Sequence, residues 1–209
     1  MKKTLFILFI LFFLFTHGQK KHFLNRELKY FDIDSNEISK KQFSKFLKSK
    51  SDVKPYQVIS YPSKKVLIRK LVIDKDHGVL SIEEYDTIIT TLNKESFKPL
   101  GKYTLIQFSN KSNFYGNRFD EKYLANLKRD FSFTNYFVFK KDIKVTLNKT
   151  KNFKSLIDTN QVIEKMFFRH PYACCSFVII NNESKEYYSY YGEYADSSVV
   201  EALNKFAQK

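Results

Sequence analysis

The stretch Gly101-Lys102-Tyr103-Thr104-Leu105-Ile106-Gln107-Phe108 decides how this 209-residue chain reads. From Tyr103 to Phe108 it is rich in β-formers and carries no charge, the pattern of a strand covered on both faces. Working outward, Phe119, Tyr123, Leu124, Leu127 and Phe131 recur at helical spacing, and residues 135–140 (NYFVFK) form a second strand. Asp158 and Gln161 can cap a helix carrying Val162, Ile163, Met166 and Phe167. Residues 177–180 (FVII), a polar turn at 181–185 and residues 186–191 (EYYSYY) read as a hairpin. Ser198 and Glu201 then box the start of a last helix, with Val199, Leu203 and Phe206 on its apolar face. The order is β-α-β-α-β-β-α. Strands separated by helices pair in parallel through right-handed crossovers, and strands joined by a short turn pair antiparallel. The expected class is α/β, or α+β overall: a mixed sheet flanked by helices over residues 101–209. Phe108 and Phe177 should lie on neighbouring central strands, with helices 119–130 and 198–207 on the same side.

That order is the one of the thioredoxin core. The 101–108 stretch resembles the GKxxLIxF strand that opens the core of periplasmic thioredoxin-like proteins of the TlpA and peroxiredoxin type. Ser176-Phe177-Val178-Ile179-Ile180-Asn181, with the aromatic strand that ends at Gly192, is similar to their TFLID…G hairpin, and Leu156-Ile157-Asp158 to the segment before their second helix. The resemblance runs from Gly101 to the C-terminus. It implies Cys-x-x-Cys at the start of the helix after the first strand, where helix-end N–H groups stabilise a nucleophilic thiolate. Counted from Phe108, those two positions hold Asn113 and Gly116. The chain thus resembles a degenerate redoxin that lacks its dithiol.

The two cysteines stand elsewhere, as the adjacent pair Cys174-Cys175. The resemblance puts Cys174 where the family keeps a cis-proline facing the active site; Pro171 lies three places earlier. Neighbouring Cα atoms are about 3.8 Å apart, below the usual disulfide separation, so a bond between the two would be strained and easily reduced. Buried cysteine is commonly a small apolar residue, and neighbours on a strand point to opposite faces, so one of the pair reads as core. Cys174 and Cys175 remain the candidate thiols if the protein is a thiol-disulfide oxidoreductase. With His170 they make a weak soft-metal candidate, short of the four ligands of a closed site. No phosphate loop, Ser-His-Asp arrangement or carboxylate pair is recognisable, and no cofactor is expected. Strand alternation makes half of the cluster Tyr187, Tyr188, Tyr190, Tyr191 and Tyr194 core.

Residues 19–100 read as a basic α+β appendage. Asp32, Asp34 and Asn36 alternate like a calcium loop. The pattern then fails, with Glu37 where glycine is needed and Phe43 where a bidentate Glu should stand. The reading kept is a turn into a helix boxed by Ser39 and Gln42, with Phe43, Phe46 and Leu47 on one face. Strands at 56–61, 64–73 and 78–81 follow, then a helix over 83–93 started by Ser81 and Glu84.

Residues 1–18 have the layout of a signal peptide: Lys2-Lys3, an apolar run from Leu5 to Phe15, and a small residue at Gly18. The run is short for a bilayer span, no second one follows, and no cysteine near the junction offers a lipid anchor. The expectation is export to the periplasm or medium. Low Gly and Pro (5 and 4) exclude a linker or fibrous protein, and 43% hydrophobic with 17% aromatic residues supply a core. The net charge of +14 is uneven: residues 20–75 hold 15 Lys/Arg against 6 Asp/Glu. Export argues against nucleic acid as the partner of that charge and for an envelope protein or an anionic envelope polymer. The expected role is a non-catalytic binding or scaffolding module. Sequencing the N-terminus of exported protein should begin at Gln19; a product starting at Met1 would refute the export reading.

Overall fold

The computed structural model describes residues 26–48, 56–93, 101–111, 121–145, 154–172 and 175–207. The chain divides into two compact units, one built from residues up to 50 with 58–72, the other from 51–57 with 73–209.

The first unit holds β1 (Glu27–Phe31), β2 (Glu37–Ile38), α1 (Lys40–Lys48) and most of β3 (Tyr56–Ser63) and β4 (Val66–Ile73), in sheet order β2-β1-β4-β3. The calcium look-alike is the β1–β2 turn. The Asp32 carboxylate accepts from the Asn36 backbone N–H at 2.8 Å and from Asn36 Nδ2 at 3.1 Å, bonds that hold its pKa below the usual range. The Ser39–Gln42 box forms, with Gln42 N–H donating to Ser39 Oγ at 3.2 Å and Ser39 N–H to Gln42 Oε1 at 2.9 Å. Phe43, 2% exposed, packs on Tyr30 with ring centroids 5.0 Å apart. The expected three-residue apolar face is not buried as a whole. Phe46 and Leu47 flank Phe43 on the helical wheel and stay 43% and 45% exposed.

The second unit contains β5 (Lys75–Val79), α2 (Ile82–Leu92), β6 (Tyr103–Ser109), α3 (Glu121–Asp130), β7 (Phe133–Lys140), β8 (Lys154–Asp158), α4 (Val162–Phe167), β9 (Cys175–Asn181), β10 (Glu186–Tyr190) and α5 (Asp196–Ala207). Its sheet order is β5-β10-β9-β6-β7-β8. β6 pairs parallel with β7 and antiparallel with β9, while β9 and β10 form the expected hairpin. Phe108 and Phe177 therefore lie on neighbouring central strands. Every residue of β6 is buried, as the uncharged run predicts. One face packs Leu105, Phe137, Phe139, Phe177 and Ile179 against Leu127 of α3 and Val199, Ala202 and Leu203 of α5, so both helices share a side. On the other side Tyr136 donates its hydroxyl to Asn93 at the end of α2, and Phe108 stacks on Phe168 just past α4.

Three boundaries differ from the sequence reading. The division expected at Leu100 does not separate the sheets: β5 pairs antiparallel with β10, so the second unit's sheet begins at Lys75. A five-residue strand of Lys, Asp, His, Gly and Val gives no apolar alternation to reveal a distant partner. Helix α5 starts at Asp196 and not at Ser198, whose N–H bonds to Ala195 O inside the first turn. β8 was read only as the segment before a helix; it adds a parallel strand beside β7.

Two contacts make the packing testable. A Cβ on Gly101 would sit 2.8 Å from the Phe133 Cα, so Gly101→Ala should force β6 and β7 apart and cost about 1–3 kcal/mol in urea denaturation. Asp158, fully buried, accepts from the N–H groups of Val162 (2.9 Å) and Glu164 (2.8 Å) and so caps α4. Asp158→Ala should cost about 1–2 kcal/mol. Burial, opposed by those bonds, raises the Asp158 pKa. A raised folded pKa stabilises the fold below the unfolded value and loses that contribution as pH rises through the folded value. The stability of wild type relative to Asp158→Asn should accordingly fall as pH rises through that range.

Candidate functional site

The strand β6 ends at Ser109, and the next described residues turn back on it: Lys111 N–H donates to Ser109 Oγ at 3.1 Å, and Ser109 Oγ to Lys111 O at 3.0 Å. Asn110 Nδ2 donates to Tyr172 O at 2.8 Å, which ties the end of β6 to the segment leading into β9. Cys175 opens β9 directly opposite Ser109. This is the end of the sheet where the resemblance puts a redox centre. Asn113, Gly116 and Cys174 lie outside the described residues.

Cys175 is 1% exposed and belongs to the core cluster beneath α3 and α5. It is also disulfide-bonded. Its burial makes Cys175 the inward-facing residue that strand alternation allows. No group of three or more His, Cys, Asp or Glu able to hold a metal occurs among the described residues.

The mouth is walled by rings. Phe168 stacks on Phe108 (4.8 Å) and meets Tyr191 edge-on (6.1 Å), Tyr191 stacks on Tyr172 (5.0 Å, interplanar 8°), and His170 stands edge-on to Tyr172 (6.0 Å). Burial raises the Tyr172 and Tyr191 hydroxyl pKa values, with the charge of Asp76 adding to both. These phenols stay neutral at physiological pH and serve as rigid apolar packing. On the opposite face of the sheet runs a buried chain from Tyr194 Oη to Gln107 Oε1 (2.9 Å) and from Gln107 Nε2 to Asn135 Oδ1 (2.9 Å). The sequence reading missed Gln107 and Asn135; a polar residue within each apolar strand was the signal available.

A second feature lies at the other end of β10. A cavity of about 350 Å³ opens between the β5–β10 ribbon and α5, lined among others by His77, Val79, Tyr188, Ala202, Lys205 and Phe206. Tyr188 pairs with His77 across the ribbon, and burial with nearby Glu201 pushes its pKa up to about 12. Of the tyrosine cluster, Tyr191 and Tyr194 are buried, Tyr188 and Tyr190 pack against the α5-side core, and Tyr187 faces the other way, donating to Asp76 at 3.2 Å.

No family model matches the chain, and no curated protein matches it. Among solved structures, the solution structure of a thioredoxin candidate from Neisseria meningitidis aligns at a TM-score of 0.38 and 15% identity, over 76% of this chain and 93% of that one. The strand order and connections of the second unit, β10-β9-β6-β7 with helices on both faces, give the chain a thioredoxin-like fold.

Proposed function

We propose that the protein is a non-catalytic thioredoxin-like module that binds or scaffolds other components of the bacterial envelope. The observation that carries this reading is the burial of Cys175, 1% exposed within the core, at the sheet end where a redoxin needs an accessible thiolate. Asn113 and Gly116, at the positions the resemblance assigns to the dithiol, can neither attack nor resolve a disulfide. Placement in the envelope rests on the signal-like residues 1–18. Among the described residues no helix is long and apolar enough to cross a membrane.

A second reading draws on the disulfide of Cys175. A substrate dithiol could pass two electrons and two protons to the Cys175 disulfide, leaving two protein thiols and an oxidised substrate. The two readings part in a simple experiment. Unreduced native protein should show no titratable thiol. It should also fail to reduce insulin in the presence of dithiothreitol, or to oxidise a model dithiol peptide, above the uncatalysed rate. Replacing both cysteines by serine should change neither rate. Catalysis that disappears in Cys174→Ser would overturn the non-catalytic reading and make that cysteine the candidate nucleophile.

A further inference from the structure

The cavity of about 350 Å³ beside β10 follows from how α5 covers the sheet. Val199, Ala202, Leu203 and Phe206 recur at helical spacing and form the apolar stripe of that helix. Val199 and Leu203 are fully buried and pack in the cluster that holds Phe177 and Ile179. Where α5 faces the outer ribbon it presents Ala202, whose single methyl leaves the space above β10 open. On the ribbon, alternation turns His77 and Val79 of β5 and Tyr188 of β10 to this side. Phe206, in the last turn of α5, adds a second ring to the wall, and Val79 is 67% exposed at the rim.

Size, walls and charge together select a ligand. The volume lies at the small end of the range for ligand sites, enough for one ring or a short acyl chain. Tyr188, Phe206, Val79 and Ala202 offer aromatic and apolar surface, from which loosely held water is displaced at a gain. The cation among the lining residues is Lys205. Its ammonium meets Glu201 at 3.0 Å, in an i,i+4 pair whose side chains are 60% and 66% exposed. Such a pair contributes little, so a ligand carboxylate can join or replace Glu201 on Lys205. Glu186, the acid that lines the cavity, already has a partner of its own. Aromatic walls would also suit a cationic ligand, but Lys205 repels one.

We propose that this cavity binds a small aromatic carboxylate, with its ring against Tyr188, Phe206 and Ala202 and its carboxylate on Lys205. The site lies on the opposite face of the sheet from the rings of Phe108, Phe168 and Tyr191. It uses no residue of the Cys175 region, and the inference holds whether or not Cys175 exchanges disulfides.

The test titrates isotope-labelled protein with phenylacetate, with its neutral isostere phenylacetamide, and with acetate, following backbone amide shifts by NMR. Phenylacetate should bind saturably, with its shifts confined to β5, β10 and α5. Phenylacetamide should bind about tenfold more weakly, because a charge-assisted hydrogen bond is roughly twice as strong as a neutral one. Acetate, which has no ring to bury, should not saturate over the same range. Lys205→Gln should bring the acid and the amide to equal affinity. Ala202→Leu should fill the cavity and abolish saturable binding of both. Val79→Glu, at an exposed position on the rim, should weaken the acid and spare the amide, which keeps the test decisive if Ala202→Leu does not fold. No saturable binding of phenylacetate, equal binding of acid and amide to the unaltered protein, or shifts centred outside β5, β10 and α5 would overturn the proposal.

Discussion

The second unit depends on β6 having no solvent face. Each residue from Tyr103 to Ser109 is buried, with β9 on one edge and β7 on the other. A strand in that position needs cover on both sides, and α3 with α5, and α2 with α4, supply it. Its polar groups must then be matched inside the protein, since a buried donor or acceptor left without a partner costs more than a bond gains. Thr104 donates to Asn182, Gln107 both donates and accepts, and Ser109 bonds Lys111. Asn182 also donates to Gly101 O at 2.7 Å, so the turn after β9 clamps the start of β6. Gly101 fits there because only a hydrogen clears the Phe133 backbone.

The same constraint shapes the mouth of the sheet. Where β6 ends, Ser109, Asn110 and Lys111 are held by short local bonds and by Tyr172, and on one face a buried hydrogen-bonded chain joins Tyr194, Gln107 and Asn135. Redox chemistry at this position requires a thiolate stabilised by a helix end or a nearby cation. Cys175 is instead folded into apolar packing under two helices. A fold does not carry its chemistry with it.

Charge and apolar surface are divided between the units in a way that fits their sheets. The second unit places its aromatic residues in layers around six strands, with Phe177 in contact with Tyr188, Tyr190 and Tyr194 at once. Among its described residues the first unit has a four-stranded sheet and one nine-residue helix, with Phe43 buried and Phe46 and Leu47 partly exposed.

Local pattern alone determined the central strands, the β9–β10 hairpin, the capping boxes at Ser39 and Ser81, and the carboxylate cap at Asp158. Each of these rests on residues within a few positions of one another, where periodicity and side-chain-to-backbone bonding leave a direct mark. Counted from Phe108, Asn113 and Gly116 stand at the two positions that the resemblance assigns to a dithiol. The tertiary structure alone decided that Lys75–Val79 joins the C-terminal sheet, that Lys154–Asp158 lies beside β7, that Gln107 bonds Asn135, and that Cys175 is the inward member of its pair. These depend on pairings between residues 18 to 115 positions apart, such as Tyr136 with Lys154 or Lys75 with Tyr190, for which a sequence carries no local signal. Long-range register is set by which faces must be buried together, and that is known only once both faces exist.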